Sequence, residues 1–209
     1  VLPGPIDTVY QPIVDLRSRS IVGYEALTRP AVGTVWESPE ALFREAERRG
    51  VTAEFDWLCR VSALHGAVTA GLPNELALFV NSEPAALDAP PPDFARAALA
   101  DAADHSIVVE ITERDLMADP AGILRAVAHA RDLGWRIAVD DVGADSSSLA
   151  LLALLRPDVV KLEMRLIQQP PTPTTMALLA AVSAETARTG SAVVAEGIEN
   201  AAHEARALD

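Results

Sequence analysis

The chain has 209 residues, half of them hydrophobic, enough to bury one substantial core and short for two domains. Its formal net charge of −13 repels polyanions and argues against broad binding to DNA or RNA, so an anionic small ligand would need a local cationic device, either a metal ion or placed Lys and Arg side chains. No apolar run approaches the roughly 20 residues of a membrane-spanning helix, and no basic segment followed by an apolar one opens the chain, which predicts a soluble protein.

Two β-rich runs come first, around Tyr10-Gln11-Pro12-Ile13-Val14 and Ile21-Val22-Gly23-Tyr24-Glu25. Ser38-Pro39-Glu40 then opens a helix as N-cap and first-turn proline, and Gly50 closes it behind Arg48-Arg49. From about Ala53 to Gly71, Trp57, Leu58, Val61 and Leu64 follow helical spacing and are expected to face the core. Cys59 lies in the same stretch with no cysteine to pair with and no Cys or His at ligand spacing, so it reads as a buried thiol of a reducing cytoplasm. Leu76 to Asn81 reads as a strand, and Ala89-Pro90-Pro91-Pro92 as a loop. The run Ile107 to Thr112 is a further strand, Asp119-Pro120 opens a helix ending at Gly134, and Arg136 to Asp141 and Asp158 to Leu162 return to strand. Pro170-Pro171-Thr172-Pro173 reads as a loop, Ser191 to Glu196 as the last strand, and Ala201 to Asp209 as a helix.

Near-continuous apolar runs such as Ile107-Val108-Val109 and Ala192-Val193-Val194-Ala195 suit strands buried on both faces of a parallel sheet. Repeated strand-then-helix units imply right-handed crossovers, in a closed barrel or an open sheet. No Gly-x-Gly-x-x-Gly follows an early strand, which favours the barrel.

Nearly every strand ends in a residue that can bind a metal or move a proton: Glu25, Asn81, Glu110, Asp140 with Asp141, Lys161 and Glu196. In a β/α barrel these residues converge at the C-terminal face, where active sites of that fold are built. An oxygen-rich set without His or Cys suits Mg²⁺ or Mn²⁺ rather than zinc, and His65, His105, His129 and His203 show no pair at metal spacing. Adjacent aspartates favour a pair of ions sharing one carboxylate, a device of phosphate-ester chemistry. Metal-assisted proton abstraction with Lys161 as base remains an alternative. Taken singly, Glu113 with Arg114 could be a solvated loop pair, Glu163 could form a surface salt bridge beside Lys161, and Arg29 could merely cover the barrel rim.

The segments Tyr10-Gln11-Pro12-Ile13-Val14-Asp15, Val22-Gly23-Tyr24-Glu25-Ala26-Leu27-Thr28-Arg29, Glu110-Ile111-Thr112-Glu113, Asp140-Asp141-Val142-Gly143 and Ala195-Glu196-Gly197-Ile198-Glu199 resemble, in order, the signatures of EAL-type cyclic di-GMP phosphodiesterases. The likeness runs over essentially the whole chain. It implies an α/β fold, a modified TIM-type (β/α) barrel, that cleaves one phosphodiester bond of cyclic di-GMP to give linear pGpG with one or two Mg²⁺ or Mn²⁺ ions. By the same resemblance Glu25, Asn81, Glu110 and Asp140 hold one metal, and Asp140 bridges to a second held by Asp141 and Glu196. Lys161 orients the attacking water, and Glu196 is a candidate general base as well as a ligand. Gln11 and Arg29 resemble ligand-contacting positions, Glu113 a brace for the loop after Asp141, and Glu199 a supporting acid. A homodimer and an attached sensory or GGDEF domain stay open at this point, as does a non-catalytic cyclic di-GMP receptor.

Two departures from the family pattern carry expectations. Its active members follow the paired aspartates with Phe-Gly-Thr-Gly-Tyr-Ser-Ser, where this chain has Val142-Gly143-Ala144-Asp145-Ser146-Ser147-Ser148; reduced turnover with binding retained is expected. The family's last strand and its Gln-Gly segment do not follow Glu199-Asn200, so residues 1–209 are expected to form one EAL-type domain, incomplete at its C-terminus and lacking the final barrel strand. Lys161-Leu162-Glu163 also stands where the family has Lys-Ile-Asp.

Overall fold

A computed structural model describes residues 4–88, 90–112, 119–143 and 148–208 of the chain. Strands β1 (Ile6–Val14) and β2 (Ile21–Pro30) form an antiparallel hairpin in which Gln11 faces Glu25. The Asp15 carboxylate fixes its turn by accepting from the Ser18 N–H at 2.6 Å and the Ser18 hydroxyl at 2.7 Å. Every later strand joins in parallel: β3 (Ala77–Asn81), β4 (Ser106–Thr112), β5 (Arg136–Val142), β6 (Val159–Leu162) and β7 (Ala192–Ala195), in spatial order β1 to β7. β3, β4 and β6 are buried along most of their length, as their apolar runs predict.

The helices are set by readable caps. In α1 (Pro39–Arg49) the Ser38 side chain accepts from the Ala41 N–H and Gly50 closes the end at φ 68°. α2 (Thr52–Thr69) buries Phe55, Trp57, Cys59 and Leu64, whereas Leu58 and Val61 are only half-buried. Short helices α3 (Pro84–Leu87) and α4 (Arg96–Asp101) precede β4. The Asp119 carboxylate caps α5 (Pro120–Asp132), while α6 (Ser148–Leu155) and α7 (Met164–Gln168) flank β6. Pro173 is not loop: it is the first residue of α8 (Pro173–Thr189), where its missing N–H costs nothing, behind a capping box made by Thr172 and Thr175. The final helix, α9 (Ala201–Leu208), follows β7.

One core lies between the sheet and its helices and includes Trp57, Leu78, Val109, Ile111, Ile137 and Val139. A second, smaller cluster fills the concave side: Ala77, Phe79, Val108, Ala138 and Val159, with Ile13 and Val194 against them. Among the described residues β7 and β1 do not pair, so the curled sheet is an open barrel, as expected of a barrel lacking one strand. A cleft of about 1120 Å³ runs into the open seam, lined by both edge strands and by Glu25, Lys161 and Glu196. Val9, Val14, Ile21, Val22 and Val193 are exposed on the edge strands and the neighbouring β2. No described helix is long and apolar enough to cross a membrane.

Candidate functional site

Period-two alternation builds the site from the concave cluster. Phe79, Val108, Ala138, Val159 and Val194 point into the barrel, so the residues two further along each strand line the same face nearer its C-terminal end. Those residues are Asn81, Glu110, Asp140, Lys161 and Glu196. Parallel register sets Asn81 beside Glu110. A register irregularity between Val139 and Val142 lets β5 present consecutive acids, with Asp141 at φ 58°. Carboxylate oxygens of Asp140, Asp141 and Glu196 come within 4.8 Å of one another.

Lys161 is the hub. Its Nζ lies 2.8 Å from Glu110, 2.9 Å from Glu196, 3.1 Å from Asp140 and 3.5 Å from Glu25. Burial alone would lower the ammonium, but the four carboxylates outweigh it and hold Lys161 well above its ordinary value. Burial pushes Glu110 up to about 8, opposed by Lys161 and reinforced by the charges of Glu25 and Asp140. Burial likewise raises Glu196, again against the pull of Lys161.

A single ammonium does not satisfy this ring. Both Glu110 carboxylate oxygens are buried, and the Lys161 ammonium that approaches one of them at 2.8 Å is shared with three further carboxylates. Oxygen donors only, in excess of the local positive charge, are the donor set of a hard divalent cation, so the residues present fit Mg²⁺ or Mn²⁺.

The remaining expected residues divide. Gln11 lines the cleft opposite Glu25. The Arg29 guanidinium turns to its own strand and donates to the Thr28 carbonyl at 2.9 Å. Glu163 pairs with Arg165 rather than lying against Lys161. Glu199 is exposed beyond β7 and makes no described contact with the ring. Glu113 and Ala144 to Ser147 lie outside the described residues.

One buried polar group lies outside the expected set. Asp56 and Arg60 pair on α2, and Arg60 Nη2 reaches Ser82 Oγ at 2.6 Å, directly after Asn81. The available signal is two charged residues four apart on a core-facing helix stretch.

The EAL domain family model matches residues 4–209. The chain belongs to the EAL domain family. This EAL domain is 31% identical over 203 residues to the cyclic di-GMP phosphodiesterase PA2567 of Pseudomonas aeruginosa, covering 91% of this chain and 34% of that one. Among solved structures it is similar to the manganese and cyclic di-GMP complex of Klebsiella pneumoniae BlrP1 at pH 9.0, with TM-score 0.81 and 28% identity over 98% of this chain and 52% of that one. A standalone versatile EAL protein of Vibrio cholerae O395, in its c-di-GMP-bound form, is also 28% identical, with TM-score 0.76 over 98% of this chain and 86% of that one. The EAL domain spans 24–34% of the length of the first curated relatives it matches.

Proposed function

We propose that this EAL domain is a metal-dependent phosphodiesterase that opens cyclic di-GMP to linear pGpG. The observation that carries the reading is the ring of four carboxylates, Glu25, Glu110, Asp140 and Glu196, around the single ammonium of buried Lys161. Two relatives named or solved with cyclic di-GMP support the substrate. Lys161 held firmly protonated is a poor proton-abstracting base, which argues against that alternative chemistry.

Glu25, Asn81, Glu110 and Asp140 would hold one ion, and Asp140, Asp141 and Glu196 a second. Bound Mg²⁺ or Mn²⁺ supplies charge neutralisation at the phosphate and acidifies water there. Lys161 positions the attacking water by hydrogen bonding, and Glu196, raised by burial, accepts its proton. The water oxygen bonds to phosphorus, the bond to one ribose 3′ oxygen breaks, and that oxygen takes a proton from solvent. Gln11 lies in the cleft where a guanine base can reach it, and Arg29 would have to turn from Thr28 to meet a phosphate. Glu113 and Glu199 are proposed as supporting acids, and the reducing cytoplasm as the site of action, in keeping with buried, unpaired Cys59.

One feature of the chain favours a receptor as a second reading. The segment after Asp141 lacks the aromatic residues of active family members, which allows ligand binding without efficient turnover. Chromatography of cyclic di-GMP incubated with the protein and Mn²⁺, beside a calorimetric titration of the same nucleotide, separates the two. Formation of pGpG that stops in chelator is expected; binding without product makes the chain a receptor, and the absence of both binding and product overturns both readings.

A further inference from the structure

The buried group behind β3 has no part in the chemistry above. Asp56 and Arg60 keep 2% and 1% of their surface exposed, and the pair stands one helical turn apart on α2. The guanidinium lies 4.0 Å from the centre of the Trp57 ring, and Trp57 is pinned by its Nε1–H donating to the Ala86 carbonyl at 3.0 Å. Removing two charges from water is costly, and replacing a buried ion pair by apolar residues of similar size is often neutral or stabilising. Arg60 Nε and Nη1 even lack acceptors among the described residues. A stability role therefore explains the pair poorly.

Among the described residues, the hydrogen bonds it makes outside the pair go to the two residues after Asn81. Arg60 Nη2 donates to Ser82 Oγ at 2.6 Å, and the Asp56 carboxylate accepts from the Glu83 N–H at 3.0 Å. The Ser82 N–H donates to the Glu110 carbonyl at 3.1 Å, which ties the same turn to the neighbouring strand of the ring. Three tethers thus fix the backbone where β3 ends, and Asn81 is the residue that the fixed turn presents to the site.

We infer that Asp56 and Arg60 are positioning residues for metal binding, acting through Ser82 and Glu83 to hold Asn81 in register with Glu110. The inference rests on the proposed metal site. A side-chain amide is a weak neutral ligand beside carboxylates, so its contribution depends on being placed in advance, which is how outer partners tune metal affinity.

Titration of Mn²⁺ alone by calorimetry, with a thermal melt of each protein in chelator, tests this. Ser82→Ala removes the hydroxyl that ties Arg60 to the turn after Asn81, leaving the pair with Asp56, with little change in volume. Its Mn²⁺ affinity should fall about 10–100-fold, while its melting midpoint falls by no more than about 2–4 °C, the cost of one hydrogen bond. Hydrolysis should recover at saturating Mn²⁺, and the melt in chelator separates this weakened affinity from a folding defect. The double variant Asp56→Asn/Arg60→Met, which discards the buried charges together, should lose Mn²⁺ affinity while retaining a cooperative melt; if it does not fold, Ser82→Ala decides alone. Unchanged Mn²⁺ affinity in Ser82→Ala, with affinity lost in Asn81→Ala, overturns the positioning role and leaves the metal site intact. Unchanged affinity in Asn81→Ala removes Asn81 from the ligands and overturns this inference alone, whereas no Mn²⁺ binding by the unaltered chain overturns the metal reading and this inference with it.

Discussion

Lys161 Nζ lies 2.8 Å from Glu110 Oε1, and each of these side chains keeps only 1% of its surface exposed. This contact is the electrostatic centre of the domain, because the same ammonium also faces Glu25, Asp140 and Glu196. Lys161→Met leaves those carboxylates facing one another without a counter-charge. In chelator the variant should lose about 3–5 kcal/mol of stability, the usual cost of breaking a buried pair from one side. Saturating Mn²⁺ should return part of it, about 2.7 kcal/mol at a hundredfold excess over the dissociation constant. Urea melts with and without the metal measure both.

Glu25→Ala separates stability from function in the opposite direction. The side chain is 16% exposed and is one of four like charges around Lys161, so its removal should leave the melt in chelator unchanged or slightly raised. Turnover should be abolished and Mn²⁺ affinity should fall by more than the roughly 10–100-fold typical of outer partners. Unchanged turnover would remove Glu25 from the metal ligands.

Gly197→Ala tests the loop that follows Glu196. Gly197 sits at φ 71°, and an added Cβ would lie 2.7 Å from the Met164 Cβ and 2.9 Å from Gln168 Nε2. Its carbonyl accepts from Gln168 Nε2 at 3.0 Å, a contact that holds the loop against α7. Strain and crowding together should cost about 1–3 kcal/mol. Metal affinity should fall as well, since Glu196 is the adjacent residue; a melt and a Mn²⁺ titration read the two effects.

A surface carboxylate sets part of the acid sensitivity. Hydrogen bonds from Arg48 and then Arg49 hold Glu45 at about 2, below its ordinary value of 4.5. A depressed folded value stabilises the protein above about pH 4.5, and that contribution is lost as the pH falls toward about 2. The Glu45 side chain is only 12% exposed, but its partners Arg48 and Arg49 are 71% and 33% exposed, so the effect is small and weakens with salt. Glu45→Gln should flatten this part of the profile in melts recorded at low ionic strength.

Much of the architecture was legible because its causes are local. Apolar runs of the right length gave all seven strands, and Ser38-Pro39, Asp119-Pro120 and Gly50 marked helix ends where caps now stand. Pro173 differs from expectation because a proline is equally suited to a loop and to a first helical turn, and the capping pair Thr172 and Thr175 decides between them. The ring of strand-end acids followed from period and position, and the structure gathers Glu25, Glu110, Asp140 and Glu196 on Lys161. What stayed hidden depends on tertiary contact. Nothing local joins Arg60 to Ser82, 22 positions away.

The central claim is that the acid ring exists to hold divalent metal. Anomalous diffraction at the manganese edge, from crystals grown with Mn²⁺ and cyclic di-GMP, tests it most directly. The expected result is density for one ion among Glu25, Asn81, Glu110 and Asp140 and for a second among Asp140, Asp141 and Glu196. Absence of any manganese peak at the strand ends, with Lys161 still the sole cation among the four carboxylates, would contradict it.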